Sequence, residues 1–249
     1  MSSDARIAVV TGAARGLGAV LATVFGHNDY RVLVTDVDLA GAEQVSSMID
    51  PLGQRAHALQ VDVSNREDFE LALSTANEAF GGVSVLINNA AVTKTTPVFE
   101  ITQQEFDEVL AINLGGVFSG CQVFGSAFKA QGYGRIVNIA SLAGQHGGTA
   151  TGAHYAASKG AVITLTKVFA RELAASGVTV NAISPGPLDV PLVHELLPAD
   201  TLQGLISAIP TGELGKPQFI AQIALLLASP EATSITGATI DANSGLYVR

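Results

Sequence analysis

The stretch Ile7-Ala8-Val9-Val10-Thr11-Gly12-Ala13-Ala14-Arg15-Gly16-Leu17-Gly18 decides the reading of this chain. Apolar residues run straight into a loop with glycines at 12, 16 and 18, and an apolar stretch to His27 follows. Strand, glycine loop and helix in this order form the context of a dinucleotide site. Glycines let the main chain approach a pyrophosphate closely, and the helix N-terminus offers it free N–H groups. A glycine-rich turn without a ligand would look the same in isolation, so the weight falls on what surrounds it.

The same alternation continues to the end of the chain. Strands are expected at Arg6–Thr11, Arg31–Thr35, Ala56–Val61, Val83–Asn88, Arg135–Ala140, Val178–Ser184 and Ala238–Asp241. Most are continuously apolar, as parallel strands buried on both faces are. Helical runs at Leu17–His27, Arg66–Phe80, Gln104–Lys129, Ala153–Ala175 and Pro217–Ala228 fill gaps between them. Repeated βα units predict one α/β domain over residues 1–249: a Rossmann-type doubly wound sheet of seven mainly parallel strands, with helices on both faces. One stretch breaks the rhythm. Residues 187–215 carry four prolines in scattered helical fragments, at the place where a lid over a site would lie.

Composition narrows the function classes. Apolar residues make up 48% of the 249 and charged residues 14%, enough for a large core. No apolar run is expected to reach the ~18 residues of a membrane span. Residues 1–6 lack the basic-then-apolar pattern of a signal peptide. A lone cysteine, Cys121, allows no intrachain disulfide framework, which fits the cytoplasm, and it reads as a core residue more than a nucleophile. Net charge is −9 with no Lys/Arg cluster, which argues against nucleic acids and anionic membranes as partners. No metal site is expected.

The second strand ends in Asp36. A carboxylate there can accept hydrogen bonds from both adenosine ribose hydroxyls and would repel a 2′-phosphate. Val37 and Asp38 follow, with no cation to offset it, so the expected cofactor is NAD and not NADP. Arg15 pulls the other way, since a guanidinium in the loop can reach a phosphate. Asp62-Val63 and Asn88-Asn89-Ala90 end the third and fourth strands, on the ligand side of such a sheet. Asp62 can accept from an adenine amino group, and Asn89 can hold the strand ends; each alone would pass as a turn residue.

At the reacting end, Tyr155 and Lys159 stand four residues apart and share one helix face. A free phenol titrates near ~10 and is a poor acid or base at neutral pH. A nearby cation stabilises the phenolate and is expected to lower that value. Ser141 ends the fifth strand, where its hydroxyl can hydrogen-bond a substrate carbonyl. Asn113 is a polar amide in the apolar run Leu110-Ala111-Ile112-Asn113-Leu114 and needs a partner. It can hold a relay water for Lys159 or tie one helix to its neighbour.

Taken together, Thr11-Gly12-x-x-x-Gly16-x-Gly18, Asp62, Asn88-Asn89-Ala90, Asn113, Ser141, Tyr155-x-x-x-Lys159 and Pro185-Gly186 resemble the short-chain dehydrogenase/reductase family over essentially the whole chain. The resemblance implies that Tyr155 is the general acid/base and that Lys159 binds the nicotinamide ribose. It implies that Ser141 orients the substrate oxygen and Asn113 anchors a relay water. Pro185, Gly186 and Leu188 would contact the nicotinamide. It also implies a homotetramer paired through the helices of Asn113 and Tyr155. Two positions depart from the family pattern: Ala91 replaces a glycine, and Val190 replaces a threonine that would hold the carboxamide.

Substrate residues are expected among Ser141, Leu142, Gln145, Tyr155, Pro187, Leu192 and Val193, with Val92 and Thr93 from the loop after the fourth strand. His146 reads as a loop histidine first and a substrate contact second. Most of these residues are apolar, and residues 187–215 hold no lysine or arginine to clamp a carboxylate or phosphate. The expected reaction is NAD(H)-linked interconversion of a hydrophobic or aromatic secondary alcohol and its ketone. The alternatives are an NADPH-dependent 3-oxoacyl thioester reductase and a catalytically inactive nucleotide-binding scaffold.

Overall fold

All five side chains of β1 (Ile7–Thr11) are buried, because this strand lies inside the sheet with neighbours on both edges. It pairs with β2 (Arg31–Asp36) on one side and β4 (Val85–Asn88) on the other. With β3 (Ala56–Gln60), β5 (Gly134–Ile139), β6 (Val178–Pro185) and β7 (Thr239–Ala242), the order is β3-β2-β1-β4-β5-β6-β7. Every ladder is parallel. The computed structural model describes residues 6–148, 151–196 and 198–248, without the side chains of Leu192 and Leu196.

The helices divide between two faces. One face carries α1 (Gly16–His27), α2 (Leu39–Ile49) and α10 (Pro217–Ala228), packed over a core that includes Val10, Leu21, Phe25, Val34 and Ile220. The other carries α3 (Arg66–Phe80), α5 (Gly116–Gln131) and α7 (Ala153–Leu173) over Val9, Phe69, Phe124, Phe128 and Val180. Continuously apolar strands suit this arrangement, because each strand face meets a helix layer. The strand order reverses between β1 and β4. Ligands bind at such a switch point, at the carboxyl ends of the strands.

Several elements differ from expectation. β6 and β7 each run one residue further than expected, to Pro185 and Ala242. Helix α2 was not anticipated; its Leu-Ala-Gly-Ala-Glu-Gln-Val-Ser-Ser-Met-Ile is short and rich in small and polar residues, and Asp38 starts it by accepting from the Gly41 N–H. The run expected as one helix over Gln104–Lys129 is α4 (Gln103–Leu110), a π-turn at Ala111–Gly115, and α5. Contrary to expectation, this continuous stretch is long and apolar enough to cross a membrane by length and composition. Half of its apolar window is buried, and α5 packs on β4, β5, α3 and α7, so it serves as a core helix.

The excursion between β6 and α10 forms α8 (Pro191–Leu196) and α9 (Ala199–Ala208). Its base is pinched. Leu188 and Gly215 form a parallel bridge, with Gly215 N–H donating to the Pro187 carbonyl and Asp189 N–H to the Gly215 carbonyl, both at 2.9 Å. After β5, the short turn α6 (Ala143–His146) leads towards α7.

Candidate active site

A groove of about 620 Å³ opens along the carboxyl ends of β1, β2 and β4. Its lining includes Gly12, Arg15, Gly16, Leu17 and Gly18 from the first loop, with Asp36 at the end of β2. Asp62 and Val63, then Asn89 and Ala90, and Leu188 line it as well, whereas Tyr155, Lys159, Pro185 and Gly186 of the expected set do not. Ala91, Val92 and Val190 also line it. The sequence did not single out Val37, Ile112, Pro191 or Glu195, which do so too; no short-range pattern announces them, because they come from three separate segments.

The glycine loop is shaped by contact. Gly12 adopts φ +64, and a Cβ there would lie 2.6 Å from Ala90 Cα. A Cβ on Gly18 would strike the Gly12 carbonyl oxygen and lie 2.6 Å from Asn89 Nδ2. Gly16 also has positive φ (+56), with open space where a Cβ would point. Asn89 supports the loop by donating to the carbonyls of Thr11 and Gly12 at 3.0 and 2.9 Å. Helix α1, like α7, α9 and α10, has no side-chain N-cap, and its first turn follows a loop where side chains at positions 12 and 18 would clash. That is the chemistry a dinucleotide pyrophosphate needs, and the residues fit such a group.

The carboxylate of Asp36 is held in place. Oδ2 accepts from the Ala14 N–H at 2.9 Å and Oδ1 from the Asp38 N–H at 3.0 Å. Each oxygen retains acceptor capacity for a ribose hydroxyl. Asp62 Oδ1 accepts from the Ser64 N–H and hydroxyl, at 2.9 and 2.7 Å. Arg15 is solvent-exposed on the loop.

The reacting end lies where β5, α6 and α7 meet. The Ser141 and Thr93 side chains favour the ionised form of the Tyr155 phenol. Ser141 Oγ also accepts from the Ala143 N–H at 3.1 Å. Lys159 is buried, with Nζ 5.9 Å from the Tyr155 ring centroid. Here one expectation is corrected. The phenol pKa is raised and not lowered, because burial outweighs the help of Ser141 and Thr93. The Lys159 ammonium donates to the Ile139 carbonyl at 2.7 Å, and burial pushes its own pKa down to about 8.

Asn113 makes three hydrogen bonds with its side chain. Its Oδ1 accepts from the Val92 N–H at 2.8 Å, and its Nδ2 donates to the Val92 carbonyl at 2.9 Å and to Ser158 Oγ at 3.2 Å. Both amide hydrogens are committed, so the side chain ties the π-turn to the loop after β4 and to α7, one of the two roles open to it.

The remaining residues are placed as follows. Pro185 ends β6, and its carbonyl accepts from the buried Leu142 at 2.9 Å. Gly186 packs against Asn243, leaving 2.9 Å between a Cβ there and Asn243 Cα. Gln145 donates to Asp241 at 2.6 Å, and His146 meets the Tyr247 ring edge-on with centroids 6.4 Å apart. These two contacts bind the C-terminal tail to α6. The side chain of Leu192 lies outside the described residues. Cys121 is buried with its thiol pushed up to about 12, so it stays protonated and unreactive.

Comparison with known proteins accords with this geometry. A family model described as Enoyl-(Acyl carrier protein) reductase matches residues 12–247. The 3-oxoacyl-[acyl-carrier-protein] reductase FabG of Vibrio cholerae is 34% identical over 248 residues, covering 100% of both chains. The protein of the same name from Escherichia coli is also 34% identical, over 100% of both chains. An uncharacterized oxidoreductase of Mycobacterium bovis, Mb1385, is 32% identical over 98% of each.

Proposed function

The chain belongs to the short-chain dehydrogenase/reductase family, and from that membership we propose that it is an NAD(H)-dependent oxidoreductase interconverting a hydrophobic or aromatic secondary alcohol and its ketone. The family comprises oxidoreductases that act on alcohol and keto groups with a nicotinamide cofactor. Asp36 carries the finer reading. Its carboxylate is oriented by two main-chain N–H groups in the groove beside the glycine loop. A 2′-phosphate there would meet a negative charge, with Val37 and Asp38 next in sequence and no lysine or arginine between them.

The bound nicotinamide would supply the hydride donor or acceptor. The residues of the chain do the rest. Tyr155 exchanges a proton with the substrate oxygen, and Ser141, just after β5, donates to that same oxygen. Lys159 stands ready to turn its buried ammonium from Ile139 to a ribose hydroxyl, bringing positive charge to the phenolate. Pro185, Gly186 and Leu188 bound the nicotinamide end. The excursion over residues 187–215 acts as a lid that excludes water.

A second reading, an NADPH-dependent 3-oxoacyl thioester reductase, draws support from the names of the full-length relatives. Asp36 opposes it, as does the lack of any lysine or arginine over residues 187–215 to meet a phosphate-bearing carrier arm. A homotetramer in the cytoplasm is part of the proposal. A shallow apolar groove of about 500 Å³ between α4, α5 and α7, with Leu110, Leu114, Phe118 and Leu165, is the surface we assign to subunit pairing.

The test is absorbance at the reduced-nicotinamide band, with aliphatic, aromatic and 3-hydroxyacyl secondary alcohols and with NAD and NADP in parallel. Turnover with NAD on apolar alcohols supports the first reading. Turnover confined to NADP and 3-hydroxyacyl thioesters replaces it with the second. Cofactor binding without turnover on any substrate favours a catalytically inactive scaffold.

A further inference from the structure

Beyond Ala242, where β7 ends, the chain turns back on itself. Ser244 and Gly245 both adopt positive φ, +55 and +85, and a serine takes that conformation only at a cost. Asn243 is buried at the head of the turn and holds it together. Its Oδ1 accepts from the Gly245 N–H and its Nδ2 donates to the Tyr247 carbonyl, both at 3.0 Å. A tail that ran straight into solvent would need neither the buried amide nor the left-handed serine.

The turn lays the tail against three parts of the site. At its start, the Gly186 N–H donates to the Ala242 carbonyl at 2.9 Å, and a Cβ on Gly186 would lie 2.9 Å from Asn243 Cα. The tail therefore leaves from the wall assigned to the nicotinamide. At Gly245 it meets the excursion, since a Cβ there would lie 3.3 Å from Pro210, just beyond α9. At Tyr247 it meets α6. The half-buried Tyr247 ring stands across that of His146, with centroids 6.4 Å apart and planes at 79°. The imidazole is itself fixed, because Nδ1 accepts from the Gly148 N–H at 2.9 Å. Gln145, one residue earlier, donates to Asp241 at 2.6 Å. The same short turn is tied to Ser141, whose carbonyl accepts from the Gly144 N–H at 3.0 Å.

In the proposed function the substrate lies over Ser141 and Tyr155, between α6 and the excursion. A tail that touches the excursion at Gly245 and α6 at Tyr247 closes that space on the side of β7. We propose that Tyr247 is a specificity-determining residue: with His146 it forms the wall of the substrate cleft on the side of β7 and selects an aromatic ring attached to the reacting carbon. Two rings already set across each other offer a third the edge-to-face or offset contact that aromatic groups prefer. A saturated ring of the same size gains burial there without that contact. The proposal rests on the assignment of Ser141 and Tyr155 to the reacting end, and it narrows the substrate class of that reading to aryl secondary alcohols and aryl ketones.

Methyl phenyl carbinol and its saturated counterpart, methyl cyclohexyl carbinol, differ in the ring alone. The parent is expected to favour the phenyl compound in kcat/KM with NAD. Tyr247→Leu should reduce that preference about three- to tenfold, the contribution of one aromatic pair beyond its buried area, and Tyr247→Phe should keep it. Gly245→Ala, strained at its positive φ and pressed against Pro210, displaces the turn and should reduce the preference as Tyr247→Leu does. Calorimetric binding of the two corresponding ketones to the NAD-loaded protein reads the same ratio without turnover. A parent with no phenyl preference in either measurement overturns the proposal, as does a Tyr247→Leu ratio equal to the parent's. An equal loss on both alcohols also overturns it, since that is the result of a tail that only supports the fold. A protein that oxidises neither alcohol, yet binds the phenyl ketone in preference and loses that preference in Tyr247→Leu, would refute the proposed function and leave the wall standing.

Discussion

Lys159 aims its ammonium at the main-chain oxygen of Ile139, 2.7 Å away, and not at the phenol of Tyr155 one helical turn before it. The two share a helix face, as their spacing demands, yet the lysine satisfies its own desolvated charge first. A buried ammonium needs an acceptor, and a strand-end carbonyl is one. The phenol is pushed up by burial, against the opposing effect of Ser141 and Thr93.

This geometry predicts a pH dependence of stability. Burial lowers Lys159 from its ordinary 10.5 to about 8. Below the folded value both states hold the proton, and the charged lysine destabilises the fold. Between about 8 and 10.5 the unfolded chain binds more protons, so stability rises with pH, by up to on the order of 3 kcal/mol from this group. Tyr30, Tyr133 and Tyr155 are raised above their ordinary 10.0 and act in the opposite sense at higher pH, which leaves roughly pH 8 to 10 as the clean window. Urea unfolding of the parent and of Lys159→Met should show the parent gaining on the variant across that window. Parallel curves would rule out a strongly depressed lysine.

Asp36 holds two N–H groups and, in the proposed function, the adenosine ribose. Asp36→Ala should lower kcat/KM with NAD by about tenfold or more, the loss of hydrogen bonds to a charged acceptor. It should also improve the relative use of NADP and cost about 1 kcal/mol of stability through Ala14 and Asp38. Steady-state kinetics with both cofactors decide it, and an unchanged NAD/NADP ratio would remove Asp36 from the discrimination.

The close approach of Gly18 to Gly12 and Asn89 leaves no room for a methyl group. Gly18→Ala should destabilise the protein by about 1–3 kcal/mol and weaken NADH binding together. Gly204, in α9, has open space around its Cβ position, so Gly204→Ala should be neutral or stabilising by about 0.5–1 kcal/mol. Thermal melts with and without NADH compare the two, and equal effects would mean that the crowding at Gly18 does not matter.

How far the sequence could be read follows from what kind of signal each feature leaves. Ile7–Thr11 and Val178–Pro185 are buried on both faces, so their apolar runs stand out and place the sheet. The glycine loop shows itself because the backbone at Gly12 and the crowding at Gly18 exclude other residues. The π-turn at Ala111–Gly115 leaves no such trace, since one extra residue in a helical turn changes hydrogen bonding and not composition. The commitments of Asn113 to Val92 and Ser158, and of His154 to Glu105, join distant parts of the chain. No local pattern reveals pairings of that range. The direction of the Lys159 side chain depends on a carbonyl twenty residues away.

The most direct test of the account is Tyr155→Phe, with NADH binding and turnover measured on the same preparation. The phenol exchanges the proton in this mechanism but does not build the dinucleotide groove. Binding should therefore persist while turnover falls by about 10²–10⁴-fold, the contribution of a positioned acid/base. A variant that binds NADH and turns over near the parental rate would contradict the role of Tyr155 and the reaction built around it.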